Sequence, residues 1–389
     1  MFFSISKSKD FNFPENVVIG SFIVNLDEGW ETAHIDNKTV FYKGYTDTVP
    51  LATHIPELLV NSVSGNYTLI VAEDDTISIK SSKLRASPIY VSADIVTNLV
   101  KQNTAVWNNE TVAVDSELRT TITTNPTLKF DLDFDVYRDD VIKKIDSILL
   151  DKVEKFLTYN TLPIKVYLSG GVDSMLVYSY IKKLTKNYDL LACQHKDLDY
   201  FWCKNSDYIE NNYWAYTQIN HFTKPTILSV GTPGDEFMLR APGTSNLWLM
   251  HYGKSIPEVM TTDKYKDSAQ SRYFMLPKNI SMYESHTAPK FRHIVKNKQY
   301  LINYLCNNMV NDFQHWHLGN TLTFTPLRDL DIALLMFSLN EEDATDQIFN
   351  SAITRDLISL HNPDLLKYIS TYKNTNELEH MWDYISQYQ

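Results

Sequence analysis

The chain has 389 residues, 43% hydrophobic and 21% charged, a length suited to two domains and a composition that excludes disorder throughout. Its 36 Lys and Arg against 47 Asp and Glu leave a net charge of −11, a field that repels a phosphate backbone and argues against sequence-independent nucleic-acid binding. The start, Met1 to Lys7, shows no charged leader before an apolar run, the apolar run Ile332–Phe337 is far too short for a bilayer, and Cys193, Cys203 and Cys306 lack CxxC spacing. A soluble, cytoplasmic chain without a membrane partner, a disulfide framework or structural zinc is expected.

Short extended runs come first: Val17–Val24, Thr39–Tyr42, Tyr67–Val71, Ile77–Ile79 and Ile89–Val91, with turn signals at Ser64-Gly65-Asn66 and Asp74-Asp75. They predict a β-rich domain. The Thr-rich stretch Thr120–Pro126 marks its end, so domains of residues 1–126 and 127–389 are expected. From Tyr137 the apolar positions Val141, Ile145, Ile148, Leu149, Val153 and Phe156 recur at helical spacing, up to the break at Tyr159–Pro163. A strand (Ile164–Leu168), the turn Ser169-Gly170-Gly171, a helix to Leu184 and a strand (Leu190–Cys193) then follow, which is the order of a parallel α/β unit. Another buried strand, Thr226–Val230, runs into Gly231-Thr232-Pro233-Gly234-Asp235-Glu236, and from about Lys290 the pattern turns mostly helical.

Glycine is scarce, 11 in the whole chain, yet Gly170, Gly171, Gly231 and Gly234 fall in these two loops. Adjacent glycines let backbone N–H groups close on an anion, Ser169 and Ser174 add hydroxyls, and the following helix aims its positive end at the same point. Leu168, Ser169, Gly170, Gly171, Asp173, Ser174 and Gly231 are the expected binding residues of a pyrophosphate cradle. Asp173 beside phosphates requires a divalent cation, which points to Mg²⁺, and Asp235 is placed to share it. Glu236 completes the expected catalytic set of Asp173, Asp235 and Glu236. Neither GxxxxGK[ST] nor GxGxxG occurs, so γ-phosphoryl transfer and dinucleotide binding of those kinds are not indicated. The i, i+2 spacing of His315 and His317 sets them on opposite sides of a helix, and with His251 they read as packing or surface residues. Lys290, Arg292, Lys296 and Lys298 read as a solvated helix face.

Ser-Gly-Gly-Val-Asp-Ser at 169–174, between a strand and a helix, resembles the loop of the N-type ATP pyrophosphatases. Gly231–Glu236 resembles the Gly-x-Gly-Ser-Asp-Glu loop of the asparagine synthetase (glutamine-hydrolysing) family. Phe324–Asp331, followed by Leu334, Leu335 and Phe337, is similar to that family's Val-Pro-Phe-Leu-Asp segment. Ser64–Ile70 and Arg85–Tyr90 are similar to pieces of its glutaminase domain. The resemblance implies an α/β C-terminal domain, with a parallel sheet and helices on both faces, of the adenine nucleotide alpha-hydrolase kind. It implies an Ntn-hydrolase-like β-rich domain before it. It further implies ATP and Mg²⁺ as cofactors, a small-molecule or peptide carboxylate and an amine donor as substrates, and an AMP-forming carbon–nitrogen ligase; a homodimer is compatible with it.

Four departures qualify what the resemblance implies. Phe2 stands where the family has its nucleophilic Cys, so the N-terminal domain is expected not to hydrolyse glutamine. Thr232 replaces a substrate-holding Glu, which points to a substrate other than aspartate. The segment between Cys193 and Asn211 is shorter than the family's. Near Ser351 and Gln347 the family has a charge-stabilising Lys that is absent here, with Lys254 as an alternative donor. Two alternatives stand beside the ligase: ATP-pyrophosphatase chemistry on a nucleobase or tRNA, which uses the same loop, and a degenerate nucleotide-binding or scaffold protein, which the missing Cys, Lys and Glu suggest and the intact loop opposes.

Overall fold

The computed structural model describes residues 3–9, 13–47, 49–61, 63–82, 89–97, 104–106, 110–124, 136–168, 171–192, 224–274 and 321–369. The N-terminal elements are β1 (Phe3–Ser6), β2 (Glu15–Ile19), β3 (Phe22–Leu26), β4 (Glu31–Ile35), β5 (Lys38–Thr46), α1 (Leu51–Leu58), β6 (Gly65–Glu73), β7 (Thr76–Ser81), β8 (Ile89–Val91), β9 (Ile95–Thr97), β10 (Thr104–Val106), β11 (Glu110–Asp115) and β12 (Thr120–Thr124). They pair antiparallel in two sheets, ordered β10-β8-β9-β1-β3-β2 and β12-β11-β7-β6-β5-β4. The expected single run Val17–Val24 is instead a hairpin. Gly20 takes φ +53° at the first of two turn residues and folds β2 onto β3, with Ile19 opposite Phe22.

Side-chain alternation distributes these strands between two cores. Phe41 of β5 and Ile70 of β6 join Phe3, Phe22, Val24, Ile77 and Val112 in one cluster drawn from both sheets. Their neighbours Val40, Tyr42, Leu69 and Val71 join Leu51, Ile55 and Leu58 of α1 in another. The second sheet is thus covered on both faces, which explains the continuous burial across the middle of β6.

The C-terminal region runs α2 (Arg138–Tyr159), β13 (Ile164–Leu168), α3 (Val172–Leu184), β14 (Asp189–Ala192), β15 (Thr226–Ser229), α4 (Gly234–Phe237), α5 (Pro242–His251), α6 (Ile256–Met260), α7 (Ala269–Phe274), β16 (Thr321–Phe324), α8 (Leu330–Phe337), α9 (Glu341–Asn350) and α10 (Ala352–His361). A short 3₁₀ segment, Pro363–Tyr368, follows. The strands form a parallel sheet in the order β14-β13-β15-β16. The architecture is therefore a β-rich antiparallel region followed by an α/β region with a parallel sheet. Of the stretch read as helical from Lys290, residues 290–320 lie outside the described residues, as do the three cysteines, His315, His317, and Lys290, Arg292, Lys296 and Lys298. Among the described residues no helix is long and apolar enough to cross a membrane.

Burial along α2 follows the predicted spacing: Val141, Ile145, Leu149, Val153 and Phe156 all face the core. Lys152 lies on that same buried face. Its Nζ sits 3.0 Å from Asp47 Oδ2, just beyond β5, and 3.1 Å from Asp329 Oδ2, which caps α8. One turn along the helix, Phe156 stacks on Phe324 of β16 at 3.7 Å, and Tyr45 of β5 packs edge-on against both rings. The Thr325 backbone N–H donates to the Tyr45 hydroxyl at 3.1 Å. The end of β5 is thereby sewn to the start of the Thr325–Asp329 segment by aromatic contacts and a buried ion cluster.

Strand order within the parallel sheet reverses at β13. From β13 the chain moves to β14 on one side, and β15 then pairs on the other side of β13. At such a reversal, open α/β sheets place their ligands outside the carboxyl ends of the strands. The loops leaving the carboxyl ends of β13 and β15 carry the two glycine motifs.

Candidate functional site

Leu168 ends β13 and Gly171 is the N-cap of α3, with Ser169 and Gly170 between them outside the described residues. Asp173 occupies the first turn of α3; Asp235 and Glu236 occupy the first turn of α4. The two loops meet backbone to backbone. A Cβ on Gly231 would lie 2.4 Å from Ser174 N and 2.6 Å from Asp173 C, and one on Gly234 would lie 2.5 Å from Asp173 Cγ and 2.8 Å from Leu327 Cδ1. Only glycine allows that approach. Ser174 donates its hydroxyl to the Gly171 carbonyl at 2.8 Å, so in this state it ties down the helix cap.

Between the two aspartates lies a residue that the sequence reading missed. Arg240 Nη2 donates to both Asp173 Oδ2 and Asp235 Oδ1, the latter at 2.5 Å, while Nη1 donates to Ser351 Oγ at 3.1 Å. Its side chain is only 5% exposed. The local sequence explains how it arrives there. After the short α4, Leu239 adopts φ +60° and turns the chain back, so that the N–H groups of Arg240 and Ala241 both donate to the Asp235 carbonyl. Three successive carbonyls of this turn are each held by a side chain: Met238 by Gln347 at 2.8 Å, Leu239 by Ser245 at 3.0 Å and Arg240 by Gln270 at 2.9 Å. A single Arg within the buried run Phe237–Ala241 was the available signal, since a cation in apolar sequence must find an anion when the run is buried.

The carboxyl of Asp173 is pushed up, to about 8, by burial first, with the like charge of Asp235 adding and Arg240 opposing. Its second oxygen, Oδ1, is buried without a hydrogen-bond partner among the described residues, and Asp235 is 40% exposed. An unsatisfied carboxylate oxygen beside an accessible carboxylate fits a divalent cation of the kind expected for Asp173 and Asp235. No group of three or more His, Cys, Asp or Glu gathers among the described residues, so such a cation would draw its other oxygens from phosphate and water.

The positions near the missing Lys also resolve. Ser351, at φ +57°, is the N-cap of α10 and touches Arg240. Gln347 is fully buried: its Oε1 accepts from Ile353 N and Thr354 N at 2.8 and 3.2 Å, and its Nε2 donates to the Met238 carbonyl and to Thr354 Oγ1. It caps α10 from the preceding helix. Lys254 pairs with Glu341 at the surface, half exposed, which suits a solvated Lys. The positive charge in this neighbourhood is thus supplied by Arg240. Replacing Gln347 by Ala would strand two helix N–H groups and one carbonyl, and thermal melts should show a loss of about 2–3 kcal/mol.

No protein-family model matches the chain, and no curated protein matches it. Among solved structures it is similar to the glutamine phosphoribosylpyrophosphate (PRPP) amidotransferase from B. subtilis complexed with ADP and GMP, at 8% identity and a TM-score of 0.20. That match covers 59% of this chain and 64% of the other, a weak and partial likeness to an amidotransferase-class enzyme.

Proposed function

We propose that the chain is an ATP-dependent, amide-forming ligase that activates a carboxylate as its adenylate and has no glutaminase activity of its own. The observation that carries this reading is the contact between the two loops at the strand reversal, where Gly231 and Gly234 press against Asp173 and Ser174. That contact sets two carboxylates and a buried guanidinium beside the first turn of α3.

In the proposed reaction a substrate carboxylate oxygen attacks the α-phosphorus of ATP, the bond to the β-phosphate oxygen breaks, and pyrophosphate leaves. An amine nitrogen then attacks the acyl carbon, the bond to the AMP oxygen breaks, and the amine proton passes to solvent. The first turn of α3 contributes backbone donors toward the polyphosphate, and fixed donors of this sort lower the barrier most when they need no reorganisation. Mg²⁺, held by Asp173 Oδ1 and Asp235, would neutralise charge on the departing pyrophosphate. We further propose residues 1–126 as a glutaminase-like domain kept for packing. Phe3 and Ile5 of β1 are fully buried in its core, and Phe2, in place of the nucleophilic Cys, lies outside the described residues.

The test is ATP–pyrophosphate exchange with Mg²⁺ across a panel of amino acids, other small carboxylates and short peptides. Exchange dependent on one carboxylate supports the ligase. Mg-ATP binding without exchange over the whole panel would favour the degenerate nucleotide binder, and absence of nucleotide binding would sink the proposal.

A further inference from the structure

We infer that Arg240 makes this site selective for a metal that arrives already bound to a polyphosphate, and that it turns away the free divalent cation. The inference rests on the reading of the two loops as a metal–nucleotide site. Two carboxylates approaching one point with a charge of −2 would form a standing site for a free divalent cation, because hard oxygens gathered in one place are what such ions require. Here one guanidinium donates to an oxygen of each carboxylate, through the same Nη2, and so offsets one of the two negative charges that the ionised pair would carry.

The guanidinium is built in. Its side chain is 5% exposed, its backbone turn is fixed at three consecutive carbonyls by Gln347, Ser245 and Gln270, and its other nitrogen is held by Ser351. It cannot swing out to make room without breaking contacts at both ends. A bare cation therefore meets a fixed positive charge between the two carboxylates. A cation carrying a polyphosphate meets the same charge as an attraction, since the phosphates outweigh it and the guanidinium favours them. Arg240 is in this sense a positioning residue: it fixes the spacing of Asp173 and Asp235 and selects the charge state of what they receive.

Mn²⁺, followed by electron paramagnetic resonance, is the probe, with no turnover involved. The wild-type chain should bind free Mn²⁺ weakly, and about tenfold or more tighter when a nonhydrolysable ATP analogue bridged at the α,β position is present. Arg240→Met should bind free Mn²⁺ about tenfold or more tighter than wild type, and adding Asp173→Asn should abolish that gain. Arg240→Lys, which keeps the charge, should refuse free Mn²⁺ as wild type does. Equal free-ion affinity in wild type and a folded Arg240→Met variant would overturn the inference, as would an Arg240→Lys chain that binds the free ion as tightly as Arg240→Met. If Arg240→Met does not fold, Arg240→Lys and the wild-type comparison decide. A wild type that binds the nucleotide analogue but holds the free ion as tightly as the ion with the analogue overturns the inference. Failure of the ligase reading is separable: a wild-type chain that binds no nucleotide, beside an Arg240→Met variant that gains Mn²⁺, removes the nucleotide reading and leaves the charge role standing.

Discussion

Asp173→Asn should lower carboxylate-dependent ATP–pyrophosphate exchange by roughly 10²- to 10³-fold while leaving the fold as stable as wild type or more so. The loss of rate follows from the position of the carboxyl. Asp173 is the point at which the two loops touch, through Gly231 and Gly234, and its Oδ1 is the buried oxygen with no hydrogen-bond partner among the described residues. An amide keeps the shape but cannot ionise to hold a cation as the carboxyl can, and removing one preorganised electrostatic contact has about that effect on rate. The gain in stability follows from linkage. A carboxyl raised from 3.8 to about 8 in the folded chain contributes stability that is fully present below its unfolded value and is lost as pH rises through its folded one. Asn has no proton to lose. Thermal midpoints of metal-free wild type and variant should therefore coincide near pH 4 and separate in favour of Asn as the pH approaches 8. A variant that exchanges pyrophosphate normally would remove Asp173 from the site, and a variant less stable at pH 8 than at pH 4 relative to wild type would contradict the sign of the shift.

Much of this arrangement can be read from local pattern. The 3.6-residue spacing from Val141 to Phe156 became α2, and the strand ending at Leu168 and the helix that Gly171 caps stand as expected. The two distant loops were linked in the sequence only through a cation shared by Asp173 and Asp235; that Gly231 and Gly234 serve a close approach of one loop to the other is seen in the fold. Other features depend on tertiary neighbours. Gly20 at φ +53° divides a run that hydropathy alone presents as one strand. Arg240 reaches Asp173 only because Leu239 reverses the chain, and side chains from α5, α7 and α9 hold the turn that results. Lys152 lies on the apolar stripe of α2 with partners 105 and more residues away on either side. Periodicity identifies a buried face, but it gives no account of a cation on it until the facing anions are placed. Gln347 is similar: near the expected Lys in sequence, it is a helix cap in the fold.

Lys152→Met is expected to destabilise the chain by about 3–5 kcal/mol at neutral pH, the usual cost of stranding buried charges by removing their partner. Burial alone would lower the Lys152 pKa, but Asp47 and Asp329 outweigh it and hold the ammonium well above its ordinary value. Its contribution is therefore present below 10.5 and lost only as the pH rises through the raised value. Asp329 is pulled below 3.8: burial opposes, yet Lys152 and the N–H groups of Ile332 and Asp331 prevail, so its share is present above 3.8 and lost on acidification. Asp47 is raised, by burial first and by Asp329, against Lys152, so its share runs the other way and fades as pH rises. Without the ammonium both carboxyls are stranded and will ionise late. The deficit of Lys152→Met, measured by urea titration, should accordingly shrink as the pH falls toward 4, where protonation removes the stranded charges. Adding Asp47→Asn and Asp329→Asn should recover most of the loss at pH 7, and Asn at 329 still caps α8. The consequence extends to the candidate site, since Asp329 closes the segment whose Leu327 abuts Gly234 and whose helix α8 packs against α4. Nucleotide affinity should thus weaken in the single variant at temperatures where it remains folded, and return in the triple variant. Loss of stability with affinity untouched would confine Lys152 to holding the two regions together.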